Sequence, residues 1–309
     1  MPRRAKVLML AAAALLPTLP AVAKTHKEQV IVVPGFADFL AVDGNTVWAT
    51  NKGKVEQWSR KGKLAEVAIE RPCGSMAVLA GALWVANCAD GTLVKVDTRS
   101  AKVLARLATG IANQKEGELN VVAGAGSVWL ASDAKGAVAR IDPATNAVIA
   151  TIPVDAGTSY MAFGQGAAWA VSQPSATVQK IDPATNTVTA RTVLGTAPGF
   201  LAAGEGAVWV QEQGDGTVAR VDPASGAVTG RAKIGEKLKW GDIDTGGGMV
   251  WLRTTEDQTW VAIDPQTLAI MARTGKADGS GALRYTSKGL WTSAHDVHTL
   301  TFWPKPKVK

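Results

Sequence analysis

Apolar and polar residues alternate along most of the chain in short runs that suit strands and leave no room for long helices. The unit "MAFGQGAAWAVSQPSATVQKIDPATNTVTARTVLG" is representative. Its apolar stretch Met161–Phe163 predicts a first strand, and Gly164–Gly166 a turn. A second strand is expected over Ala167–Val171, a loop over Gln173–Ala176, a third strand over Thr177–Ile181 and a fourth over Thr187–Val193. Between the last two lies "DPATN", a turn sequence. The Asp side chain caps it, Pro presets φ, and Asn tolerates a left-handed backbone.

The unit recurs. Aligned on Trp, the chain reads "NTVWATN" at Trp48, "GALWVAN" at Trp84, "GSVWLAS" at Trp129 and "GAAWAVS" at Trp169. "GAVWVQE" at Trp209, "GMVWLRT" at Trp251 and "KGLWTSA" at Trp291 follow, at spacings of 36, 45, 40, 40, 42 and 40 residues. Seven units of about 40 residues match the blades of a β-propeller, four antiparallel strands each. The seventh unit ends after a third strand, "HTLTFW". Residues 28–33, "EQVIVV", supply a spare strand that predicts closure of the ring by completing blade seven and leaving no open edge. The expected fold is therefore all-β, a single seven-bladed propeller over residues 24–309 with a frayed basic tail at about 304–309. The repeated Trp reads as packing between blades, and Trp58, Trp260 and Trp303 as third-strand packing residues. Trp240 falls instead in a connecting segment, "GEKLKWGD".

The N-terminus has a different character from the repeats. "MPRRAK" followed by "VLMLAAAALLPTLP" and "AVAK" has the charge, apolar run and small residues of a secretory signal peptide, with cleavage expected after Ala23. Periplasmic or secreted localisation follows, and no later stretch is apolar enough to span a membrane. Loss of Arg3, Arg4 and Lys6 takes the basic residues from 33 to 30 against 26 acidic ones, so the net charge falls from +7 to +4. The remaining Lys and Arg are scattered, which argues against a nucleic-acid partner. The two cysteines, Cys73 and Cys88, predict a disulfide in an exported chain. The fourteen residues between them are unlike the C-x-x-C of a redox pair.

The pattern "GxGAVWV…GTVxRIDPATxxVxATI" resembles the YVTN/YncE-like bacterial propellers over residues 28–303. More distantly the chain is similar to streptogramin lyase-like propellers. That second resemblance implies a His general base and a magnesium ion on one face of the ring, but no motif carries those residues over one by one.

In such a ring the loops between second and third strands and those joining blades share one face around the channel, and loops carry function. The residues expected there are Arg71, Lys115, Glu116, Glu118, Tyr160, Phe200, Glu212, Trp240, Asp242, Arg253, Arg284 and His295. Of three His, His26 adjoins the cleavage point, while His295 and His298 sit in "SAHDVHTL". His295 with Asp296 is the one weak catalytic candidate; two His and one Asp on a strand-like path make a thin metal signal. No C-x-x-C-H, P-loop, H-E-x-x-H or G-x-S-x-G is present.

The resulting expectation is a monomeric exported module that binds a small ligand or a protein or peptide partner through its channel face, without a cofactor. The alternative is a lyase-like or hydrolytic enzyme with a His/carboxylate site, for which magnesium is a candidate. The fate of His295 separates the two: a channel-mouth position within reach of two carboxylates favours the enzyme.

Overall fold

The computed structural model describes residues 28–112, 118–132, 136–254, 260–274, 279–306 and 308. The proposed signal peptide, with His26, lies outside them. Seven four-stranded antiparallel sheets form the blades of a propeller. Blades one to six occupy residues 40–68, 77–108, 120–153, 158–193, 198–233 and 242–274. In blade four the strands are Thr158–Gly164, Ala167–Ser172, Thr177–Asp182 and Thr187–Val193, so the sequence pattern places each strand; the first extends further at both ends, and the second and third each run one residue longer. Blade seven contains Leu283–Thr286, Gly289–Ala294 and Thr299–Pro304, and its fourth strand is Gln29–Val32. The two chain ends pair from Gln29 opposite Phe302 to Val32 opposite Thr299, and the Val33 N–H donates to the His298 carbonyl at 2.7 Å. Closure by the N-terminal strand thus occurs as the spare-strand count requires.

All seven repeated Trp side chains are buried between blades. In blades three to six the indole N–H of Trp129, Trp169, Trp209 and Trp251 donates to the carbonyl of Gly124, Gly164, Gly204 and Gly246, at 2.8–3.1 Å. These glycines end each first strand. A Cβ at Gly164 would stand 2.2 Å from the carbonyl oxygen of Ala203 in the next blade. At Gly124 and Gly246 it would strike the rings of Phe163 and Tyr285. Glycine is required there because the neighbouring blade occupies the space.

The "DP" turns fold as their chemistry dictates. Asp142 accepts from the Ala144 N–H at 2.8 Å and the Thr145 hydroxyl at 2.9 Å, while Asn146 takes φ 59°. These turns also receive the blade before. The basic residue two positions ahead of the turn Asp reaches across to the next blade's turn. Lys95 Nζ donates to the Pro143 carbonyl at 2.7 Å, Arg140 to the Pro183 carbonyl and to Asn186 Oδ1, and Lys180 Nζ to the Pro223 carbonyl at 2.7 Å. Arg220 donates to the Pro265 and Gln266 carbonyls at 3.0 Å. Lys95, Arg140 and Lys180 also lie 4.8–5.7 Å over the Trp of their own blade. These three straps combine a cation–π contact with a charge-assisted hydrogen bond.

Candidate functional site

Counting nine residues back from each repeated Trp gives Phe39, Ser75, Asn120, Tyr160, Phe200, Asp242 and Ala282. These equivalent positions, one per blade, ring the mouth and throat of the central channel. Some also join blades. Asn120 Oδ1 accepts the Met161 N–H at 3.0 Å, and Asp242 accepts the Leu283 N–H at 3.0 Å. Ser75 Oγ accepts the Val121 N–H at 3.1 Å. Between blades four and five the same role falls to ring packing, Tyr160 against Phe200 at 4.3 Å.

Above this ring opens a cavity of about 790 Å³. Seven sequence candidates line it: Glu118, Tyr160, Phe200, Trp240, Asp242, His295 and Asp296. Arg284 sits lower, in the throat, ion-paired with Asp242 and also facing Asp244. Burial works against its charge, but the two carboxylates hold the guanidinium protonated. Arg71 lines an adjoining hollow of about 380 Å³ with Lys52, Glu70 and Cys73.

Two described candidates line neither the cavity nor the throat nor the hollow. Glu212 is fully buried and bound by Arg231 Nε at 2.8 Å, the Thr217 hydroxyl at 2.6 Å and the Gly195 N–H at 2.7 Å. Burial disfavours its charge, yet these donors keep it ionised below the usual range. It is a structural anion of blade five. Arg253 is 1% exposed, and its Nη2 donates to the Gly279 carbonyl at 2.8 Å. Lys115 and Glu116 lie outside the described residues.

The predicted disulfide is present. Cys73 and Cys88 are bonded and buried, with Cα atoms 6.0 Å apart, stapling the entry loop of blade two to the end of its second strand.

His295 begins a one-turn 3₁₀ helix, His295–Val297, between the second and third strands of blade seven. Its Nδ1 lies 3.2 Å from Asp38 Oδ1 and its Nε2 3.0 Å from Asp296 Oδ1. The ring stacks on Phe36 at 4.0 Å. Burial works against the imidazolium, but the hydrogen bond and charge of Asp38, joined by Asp296, raise its pKa overall. Arg253 opposes them. His298 is exposed and serves closure only through its carbonyl. Phe36 and Asp38 escaped the sequence reading because they belong to the crossing from the closing strand to blade one. That segment is pinned by Asn51, whose Oδ1 accepts the Phe36 N–H at 2.5 Å and whose amide donates to the Pro34 carbonyl at 3.0 Å. Gly35 takes φ 113° against the same Asn51, where a Cβ would fall 2.2 Å from Oδ1.

Glu118 faces the same cavity. Its Oε2 accepts the Tyr160 hydroxyl at 3.2 Å. Burial, with the nearby negative charge of Asp38 and Asp242, lifts its pKa to about 7 against the pull of Tyr160 and His295. The site therefore holds a carboxyl able to gain or lose a proton near neutrality, beside an oriented imidazole.

Among the described residues no three His, Cys, Asp or Glu side chains gather closely enough to hold a metal ion. No helix among them is long and apolar enough to cross a membrane.

No family model matches the chain, and no curated protein matches its sequence. Solved structures do match its fold. Virginiamycin B lyase from Staphylococcus aureus superposes with a TM-score of 0.75 at 14% identity, over 89% of this chain and 98% of that one. A catalytically inactive His-to-Ala variant of that lyase, with quinupristin, gives 0.74 at 13% identity, over 89% and 98%. Kuenenia stuttgartiensis hydrazine synthase gives 0.73 at 14% identity, over 95% and 100%. At such identities these likenesses establish that the chain is a seven-bladed β-propeller, of the kind also adopted by streptogramin B lyases.

Proposed function

We propose that this chain is an exported propeller whose channel mouth binds a small molecule and moves a proton on it, with lyase-like elimination as the reaction class. One observation carries the reading: a carboxyl with its pKa at about 7 shares a cavity with an imidazole held between two carboxylates. In the elimination, ionised Glu118 takes a proton from the carbon beside a substrate carbonyl. The C–O bond to the leaving group breaks as the C=C bond forms, and the His295 imidazolium protonates the departing oxygen. Asp38 orients the imidazole, and Tyr160 positions Glu118. The similarly folded lyases support the reaction class by analogy of fold alone. The YVTN/YncE-like resemblance accounts for the repeat grammar and names no substrate. Magnesium, implied by the lyase-like resemblance, finds a poor donor set, because Asp242 is committed to Arg284 and Asp38 to His295.

The binding-module reading has its own support: both imidazole nitrogens are occupied, as suits an anchoring cation. The test is incubation with quinupristin and with simple β-acyloxy esters, followed by mass spectrometry and ligand-induced thermal shift. Elimination by the wild type, reduced about 100-fold or more in Glu118→Gln and His295→Ala, supports the enzyme. Thermal shifts without product would leave a binding module.

A further inference from the structure

The walls of the mouth have a definite chemical bias. Five rings, Phe36, Phe39, Tyr160, Phe200 and Trp240, share the lining with four carboxyl side chains, Asp38, Glu118, Asp242 and Asp296. Trp240 is 59% exposed and held at φ 53° on the rim, an exposed aromatic with no core to fill. The Lys239 ammonium lies 5.0 Å from its ring centroid, so one face of that ring already takes a cation. Among the described lining residues, and including Asp244 in the throat, five carboxyl groups face two cations, His295 and Arg284, with the Lys239 ammonium on the rim beside Trp240. Carboxylates together with π-faces are the elements that recognise an amine or a quaternary ammonium ion.

We propose that the ligand of the channel mouth carries an organic cation, an amine or quaternary ammonium group, seated among the aromatic rings with Glu118 as its counter-charge. The inference rests on the mouth being the binding site, as in the proposed function, and specifies what that site takes. Glu118 links binding to protons. Asp38, Asp242, Tyr160 and His295 face it, Arg253 acts on His295 from behind, and Lys52, Glu70 and Arg71 line the adjoining hollow. A cation placed beside Glu118 favours its ionised form, so binding below its pKa releases a proton and tightens as pH rises.

Calorimetric titration of the protein with choline and benzyltrimethylammonium tests this. The controls are 3,3-dimethylbutan-1-ol, which has the shape of choline without its charge, and the anion benzenesulfonate. The expected result is binding of the cations about tenfold or more tighter than the neutral isostere. Affinity should rise several-fold between about pH 5.5 and pH 8, with proton release on binding at the lower pH. Glu118→Gln should abolish both the pH dependence and the proton release. Trp240→Ala, at an exposed site that leaves the fold intact, should weaken binding about fivefold, with Trp240→Phe restoring part of it. Lys239→Gln should strengthen it. Equal binding of the neutral isostere, or tighter binding of benzenesulfonate, overturns the proposal. Cation binding without turnover of any ester would sink the proton-transfer reading and leave this one standing; turnover of neutral esters with no preference for cations would do the reverse.

Discussion

Glu118→Gln isolates the most unusual group of the mouth, through stability alone. In the unfolded chain the carboxyl titrates near 4.5; in the fold, burial and its anionic neighbours carry it to about 7. Below pH 4.5 both states are protonated, and glutamine imitates the neutral acid, keeping an oxygen for the Tyr160 hydroxyl. As pH rises past 4.5 the unfolded chain gives up this proton while the fold retains it, so stability falls until the folded group ionises near 7. A rise of about 2.5 units at about 1.4 kcal/mol per unit amounts to roughly 3 kcal/mol, less some relaxation of a partly solvated cavity. Urea unfolding of wild type and variant between about pH 4 and pH 8.5 should give equal stabilities at the acid end. The variant should lead by roughly 2–3 kcal/mol at the alkaline end, about 4–6 °C in Tm for a chain of this size. A difference that does not change with pH, or one that favours wild type at pH 8, would refute the account of the site as a buried, proton-holding pocket.

Three further outcomes follow from the packing. Gly164→Ala places a methyl 2.2 Å from a backbone oxygen of the next blade and should cost about 2–3 kcal/mol, whereas Gly166→Ala, with open space but φ 77°, should cost about 1 kcal/mol; thermal melts check the order. Arg140→Met removes a cation–π contact and its bonds to Pro183 and Asn186 and should lower stability by about 2 kcal/mol, while the corresponding Gln57→Met in blade one, which reaches no neighbouring turn, should change little. Reduction of Cys73–Cys88, or the double Ser variant, should cost about 3 kcal/mol for a separation of 15 residues, read as a fall of about 5 °C in Tm.

Much of this architecture is legible in the sequence because each blade writes its instructions locally. The Trp period, the "DPATN" turns and the spare strand at 28–33 need no long-range information. The straps were equally visible as the Lys or Arg two residues before the turn Asp, but their partner lies about 45 residues away, so a motif read within one blade shows only a charged strand residue. The mouth was legible in part. Tyr160, Phe200 and Asp242 share one position relative to the Trp, and Glu118 and His295 lie on the loops of the same face. Phe36 and Asp38 were not legible as site residues, since their place beside His295 depends on the two chain ends meeting. Glu212 and Arg253 misled because a charge at the end of a second strand can turn inward to tie down its own blade, or the segment leading to the next, as readily as outward to meet a ligand.

The ring of positions nine residues before each Trp has a further consequence. Three of its members, Ser75, Asn120 and Asp242, hold the next blade by its backbone and are not free to vary in kind. Tyr160 and Phe200 close theirs by ring packing. Among the described residues the Phe39 and Ala282 side chains take part in no such bond, so the selectivity of the opening can be rewritten at those two modules while the joints between modules stay shut.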